Sequence, residues 1–162
     1  MTWLFIGLAV LVLIAVWITW TAGRIDRLNA RCDAAWARLD AQLVRRASAL
    51  RAVAEQTPER LGEVIAGGVR EIVRVSMTAE RGSRAASENT ISAYIADLPK
   101  EDGNSELTRE LADSCERVRI ARTFYNDAVR ASMSLRGQWL ARTLRLGART
   151  PVPPYFDIND VA

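Results

Sequence analysis

The chain contains no histidine and only two cysteines, Cys32 and Cys115. Without imidazole there is no Ser-His-Asp or Cys-His triad, no His-ligated metal or haem, and no histidine pH switch. Cysteines 83 positions apart make neither a zinc finger nor a disulfide scaffold. Each falls in a helical pattern where a small apolar residue serves, so both read as core or seam positions.

Carboxylates are the remaining chemistry-bearing groups. Glu106, Glu110 and Asp113 fall at i, i+4 and i+7, a spacing that places three carboxylates on one helical face, where they can hold a divalent cation. Arg109 and Arg117 stand among them, so the favoured reading is a solvated acidic face with weak ion pairs. Asp40 and Gln42 lie beside Trp36 and the Arg45-Arg46 pair, where an inter-helix polar network is expected. As a catalytic pair they lack a nucleophile or base to complete them. Tyr125, Asn126 and Asp127 form a second polar group, and Tyr125 falls on an apolar stripe, which favours packing with its hydroxyl bonded to another helix. No catalytic residue, cofactor site or metal site is expected, and the chain is read as non-enzymatic.

Arginine dominates the charge. The sequence has 22 basic residues against 19 acidic ones, and Lys100 is the one base that is not arginine. Residues 24–55 carry seven arginines and four acids, 83–129 six bases and nine acids, and 130–149 five arginines and no acid. Arg136, Trp139, Arg142 and Arg145 in that last run are the expected partner contacts. Arginine suits bidentate pairing with carboxylate or phosphate. A net charge of +3 and the lack of a stacking array of aromatics argue against nucleic acid.

The elements that must position these groups begin with Trp3–Ala22, twenty residues without a charge. At about 1.5 Å per residue they span about 30 Å, the thickness of the hydrocarbon core. Trp3 stands at one end and Trp17 and Trp20 at the other, where indoles favour the interfaces. Trp20 is a poor fit to the small-residue rule for signal cleavage after Ala22, so the segment reads as an uncleaved anchor. Arg24, Arg27 and Arg31 follow it against Asp26, and the positive-inside rule then places the C-terminal side in the cytoplasm. The expectation is a single-pass membrane protein with its N-terminus outside. Residues 1–23 form the anchor, 24–150 a cytoplasmic helical-bundle domain, and 151–162 an extended tail.

Beyond the anchor, apolar residues recur at three- and four-residue steps: Leu28, Cys32, Ala35/Trp36, Leu39, Leu43, Ala47, Leu50, Ala54. Thr57-Pro58-Glu59 signals a second helix start. That helix is expected to continue to Leu98, with Ala79–Ala86 as a close-packed seam, favoured over a weakly ordered linker, and Gly67-Gly68 as a kink or a point of close approach. Pro99–Ser105 is a polar loop, and a third helix from there ends near Gly147. No strand pattern of useful length occurs. The fold class is therefore all-α: one transmembrane helix followed by an antiparallel bundle of three long helices. In that arrangement the first soluble helix leaves the membrane, the second returns and the third leaves again, so the basic C-terminal run lies away from the bilayer and suits an acidic protein partner better than anionic lipid.

Three segments resemble the LemA family. Ala35–Arg46, AWARLDAQLVRR, is similar to that family's AW-xx-(I/L)D-x-QL-x-RR signature through Trp36, Asp40, Gln42, Leu43, Arg45 and Arg46. Glu106–Val129 resembles its second block, with Ala121-Arg122 and the Tyr125-Asn126-Asp127 ending, and Tyr155-Phe156-Asp157 its aromatic-acidic motif near the C-terminus. Ala47–Gly68 lacks the family's Ile-Pro-Asn-Leu-Val and Lys-Gly-Tyr segments, and Ser132-Met133 and Trp139-Leu140 stand where its Tyr-Asn and Phe-Pro pairs belong, which marks a divergent member. The resemblance implies a membrane-anchored helical bundle of the bacterial inner membrane with no settled biochemical activity. The expected role is a scaffold or accessory subunit whose partners are the membrane and other proteins of a membrane complex. The alternative is a membrane-tethered sensor or regulator whose helices shift on binding. Self-association is not specified, because Gly7 belongs to no GxxxG motif.

Overall fold

A computed structural model describes residues 2–56, 58–98, 106–137, 151 and 153–159. The described residues are helical apart from short connections and the C-terminal stretch, with no strand among them. Five helices follow in order: α1 (Thr2–Gln56), α2 (Pro58–Leu61, a single turn), α3 (Glu63–Thr78), α4 (Arg84–Ala96) and α5 (Glu106–Gly137). The chain divides into two compact units, Met1–Ala35 with Asn126–Pro154, and Trp36–Tyr125 with Tyr155–Ala162.

α1 is long and apolar enough in its first part to cross a membrane. Trp3, Leu4, Phe5, Leu8, Leu11 and Leu13 are all exposed, as a lipid-facing surface requires. The Thr19 hydroxyl donates to the Ala15 carbonyl at 2.9 Å, so the helix itself satisfies this polar group. Nothing breaks the helix at Gly23.

In the second unit, Ala47, Leu50 and Ala54 of α1 form a core with Leu61, Val69, Val73, Ile91 and Leu111. Many of these side chains are small, so backbones come close. Gly68 is where that matters: a methyl group there would collide with the Tyr94 hydroxyl and ring. α3 is continuous through Gly67-Gly68, and Gly68 is the point of close approach. The positive φ of 77° belongs to Gly62, which turns the chain between α2 and α3.

The expected single helix from Thr57 to Leu98 is instead α2, α3 and α4. Ala79–Ala86 is no continuous seam. α3 stops at Thr78, the Ser83 and Arg84 amides donate to the Glu80 carbonyl at 3.0 and 2.9 Å, and the chain reverses into α4. Small residues gave the sequence pattern little apolar signal here, and a turn uses them as readily as a seam. Gly68 opposite Tyr94 and Ser76 opposite Glu88 make α3 and α4 an antiparallel hairpin.

This extra reversal changes the direction of everything after it. Within the second unit, Asp40 and Arg46 of α1 meet Arg84 and Glu88 in the same chain order, so α1 and α4 run parallel. Arg45 meets Glu110 and Trp36 meets Tyr125, so α5 runs opposite to α1. Within the first unit, the α5 residues Ser132 and Arg136 both reach Asn29, seven residues beyond Ala22. The expectation that the last helix leaves the membrane side is therefore corrected: its C-terminal part lies beside the stem that follows the apolar segment. The loop from Pro99 to Ser105 and the helix end near Gly147 lie outside the described residues.

Candidate functional site

The second unit contains two linked groups of polar and aromatic side chains. The first begins on α1, where the spacing Leu39, Leu43, Arg46, Ala47, Leu50 carries one buried stripe. Arg46 thus occupies a core position, while its neighbour Arg45 points out and meets Glu110 at 3.6 Å with both side chains half exposed. The Arg46 guanidinium donates through Nη2 to Glu88 Oε2 at 2.7 Å and to the Glu88 carbonyl at 3.3 Å, and through Nη1 to Ser92 Oγ at 3.4 Å. The other Glu88 oxygen accepts from Ser76 Oγ at 2.6 Å and lies 3.2 Å from Arg84 Nε. Arg84 in turn reaches Asp40 at 3.2 Å and donates to the Ser76 carbonyl.

Two arginines therefore share one fully buried glutamate, and half-buried Asp40 supplies the second negative charge. Balance of this kind is what allows ions to leave water, since an unpaired buried charge is very costly. Cys115 borders the group. Burial pushes its thiol above the ordinary value of 9.0, while the nearby Arg46 charge opposes the rise.

The second group gathers the three resembling segments around the α3–α4 turn. Trp36 packs edge-on against Tyr125 and Phe156, with ring centroids 5.5 and 5.6 Å away. Arg81, in the turn, lies over Trp36 at 4.6 Å and over Tyr125 at 5.3 Å, and donates to the Tyr125 hydroxyl at 3.1 Å. A guanidinium close to both rings combines cation–π attraction with a hydrogen bond. Arg122 Nη1 donates to the Ile158 carbonyl at 2.7 Å and the Asn159 amide donates to Asn89 Oδ1 at 2.7 Å, while Phe156 and Ile158 are buried. The extended C-terminal stretch is thus held on the helices of this unit.

The structure therefore brings Trp36, Asp40, Leu43, Arg46, Arg122 and Tyr125 into packed or bonded positions within one unit. Gln42 is half-buried, and its Oε1 accepts no hydrogen bond among the described residues. In the first unit Asp127 is exposed and pairs with Arg130 at 2.7 Å, Asn126 is half-buried, and Arg136 donates to Asn29 at 2.8 Å. Trp3 and Trp20 are exposed, Trp17 is half-buried, and Arg24 lies 5.3 Å over the Trp20 ring. Trp139, Arg142 and Arg145 lie outside the described residues. Glu110 and Asp113 engage Arg45 and Arg117, and among the described residues no three metal-ligating side chains gather.

Glu88, Arg84 and Arg81 escaped the sequence reading. Running the phase of Ile91, Ile95 and Leu98 backwards reaches Ser87/Glu88 and Arg84, so the signal exists but is written in polar residues. No protein-family model, curated protein or solved structure matches the chain.

Proposed function

We propose that this chain is a divergent LemA-type protein, anchored by α1 in the inner membrane with its helical domain in the cytoplasm, and that it serves without catalysis as a scaffold or accessory subunit of a membrane protein complex. The observation that carries this reading is the Trp36–Tyr125–Phe156 cluster: the three segments that resemble the family meet in one place, around Arg81. Their aromatic and charged side chains are spent on holding elements together, which is the use a structural signature has. The four longer helices, α1, α3, α4 and α5, then form an up-down-up-down arrangement in place of the three-helix one.

Partner contacts in this reading fall on residues the interior does not use. Ile120 and Phe124 are exposed one turn apart on α5, and Val64 is exposed on α3. Gentle detergent extraction of a tagged chain, followed by mass spectrometry, is the direct test. Stoichiometric co-purification of the same membrane proteins is expected, and recovery of the chain alone contradicts the accessory role.

The sensor reading rests on a different observation, the continuity of α1 from the apolar segment through Gly23–Leu28 to Gln56. A rigid helix of this kind can transmit a displacement between membrane and domain. Association that appears only under particular conditions would favour this role over a permanent scaffold.

A further inference from the structure

The C-terminal stretch Tyr155–Asn159 is seated on the second unit as a bound peptide would be. Its side chains alternate as an extended chain requires: Phe156 and Ile158 are buried, while Tyr155, Asp157 and Asn159 are exposed. Phe156 packs edge-on against Trp36 of α1, with ring centroids 5.6 Å apart. The Ile158 carbonyl and the Asn159 amide belong to one peptide group, and each end of that group has its own partner. Arg122 Nη1 of α5 donates to the oxygen at 2.7 Å, and Asn89 Oδ1 of α4 accepts from the nitrogen at 2.7 Å. In a trans peptide these two groups point in opposite directions, so the clamp closes from two helices at once.

A clamp on the main chain reads no side chain, so an extended segment of another sequence can use it equally well. Selectivity then falls on the two inward positions, one aromatic and one aliphatic, at i and i+2. Arg122 also lies 3.8 Å from the exposed Asp157 carboxylate, which gives a weak preference for an acid between them. Extended peptides are recognised by this division of labour, with main-chain bonds for affinity and alternate side chains for choice. Residues 138–154 join the stretch to α5, so it is a tethered occupant with an effective concentration of roughly millimolar at most.

We infer that α1, α4 and α5 form a docking seat for an extended segment of a partner protein, with an aromatic residue, an acid and an aliphatic residue in succession. The chain's own Phe156-Asp157-Ile158 occupies this seat until such a segment displaces it. The inference rests on the scaffold reading for its partner, but peptide binding and co-purification are measured separately, so either can fail without the other.

The test uses the full-length chain in nanodiscs and a fluorescein-labelled peptide with the sequence of Pro154–Asn159, followed by fluorescence anisotropy. The wild-type chain should bind the peptide weakly, because its tethered tail competes. Phe156→Ala or Ile158→Ala in the chain should free the seat and tighten peptide binding by about tenfold or more. Adding Arg122→Gln should weaken that binding by about tenfold, the worth of one hydrogen bond from a charged donor. A peptide carrying both Phe156→Ala and Ile158→Ala should not bind. Equal peptide affinity in the wild-type and freed chains overturns the inference. Loss of the helical circular dichroism signal in both freed chains overturns it too, since the tail is then part of the core. A wild-type dimer in native mass spectrometry that Phe156→Ala dissociates gives the seat to a second copy's tail and overturns the partner assignment.

Discussion

Arg46 and Glu88 face each other at 2.7 Å with both side chains withdrawn from solvent, 2% and 0% exposed. The pair joins α1 to α4 in the middle of the second unit, and Arg84 leans on the same carboxylate from the other side. Glu88 is therefore the group without which two guanidiniums are left buried and under-compensated.

Glu88→Gln should cost about 3–5 kcal/mol of stability, the usual penalty for breaking a buried pair from one side. Arg45→Ala, one position along α1 from Arg46, should cost less than about 1 kcal/mol because its partner Glu110 is half exposed. Chemical unfolding followed by circular dichroism compares the two. Equal, small effects would mean that water reaches the network.

Gly68→Ala should destabilise by about 1–3 kcal/mol, the range for overpacking, even though alanine is the better helix former by about 1 kcal/mol. The reason is Tyr94, whose ring and hydroxyl occupy the space of the added methyl. Gly67→Ala meets only the tip of Arg70 at 3.8 Å and should stabilise instead. Opposite signs at adjacent glycines, read as shifts in thermal midpoint, identify the close approach of α3 and α4.

Arg81→Ala should lower stability by about 1–3 kcal/mol, through the lost cation–π contacts and the lost hydrogen bond to the Tyr125 hydroxyl. Arg81→Lys should recover little, because a compact ammonium lacks the guanidinium's planar surface and fork for meeting both rings while bonding the Tyr125 hydroxyl. Phe156→Ala should cost about 3–5 kcal/mol and expose the C-terminal stretch to protease. Near-wild-type behaviour of both alanine variants would remove the cluster from the list of structural determinants.

The helices were largely legible in the sequence, because long amphipathic stripes such as Leu39, Leu43, Ala47, Leu50 survive in any context. The α3–α4 turn was not. Ala79, Gly82 and Ala85 fit a helical seam as well as a reversal, and the deciding interaction, Arg81 over Trp36, joins residues 45 positions apart. One missed reversal inverted the direction of α5, whose Ser132 and Arg136 meet Asn29 of α1. The candidate site was half legible for a similar reason. Trp36, Asp40 and Arg46 stood out by motif, whereas Glu88 and Arg84 occupy core positions with residue types that ordinarily mark a surface.

The Cys115 thiol is held above its ordinary value of 9.0 mainly by burial, with Arg46 pulling the other way. The folded state thus binds this proton more tightly than the unfolded chain does. Its contribution to stability is complete below pH about 9 and declines as pH rises through the window between the unfolded and folded values. Cys115→Ala should flatten the loss of stability above pH 9, and alkylation of Cys115 in the folded chain should lag that of a free thiol at pH 8. An unchanged alkaline profile in the variant would show that another group governs that limb.

The direction of α5 distinguishes the observed helix order from three long antiparallel helices. Exposed Ala30 on α1 and exposed Ala131 on α5 carry no charge and belong to the same unit. Spin labels at Ala30→Cys and Ala131→Cys, in a chain with Cys32→Ala and Cys115→Ala and reconstituted in nanodiscs, report their separation by electron double resonance. Neighbouring helices with axes about 8–10 Å apart predict a label distance of about 20 Å or less. A distance beyond about 30 Å, as three long helices ending far from the membrane would give at about 1.5 Å rise per residue, would contradict the account.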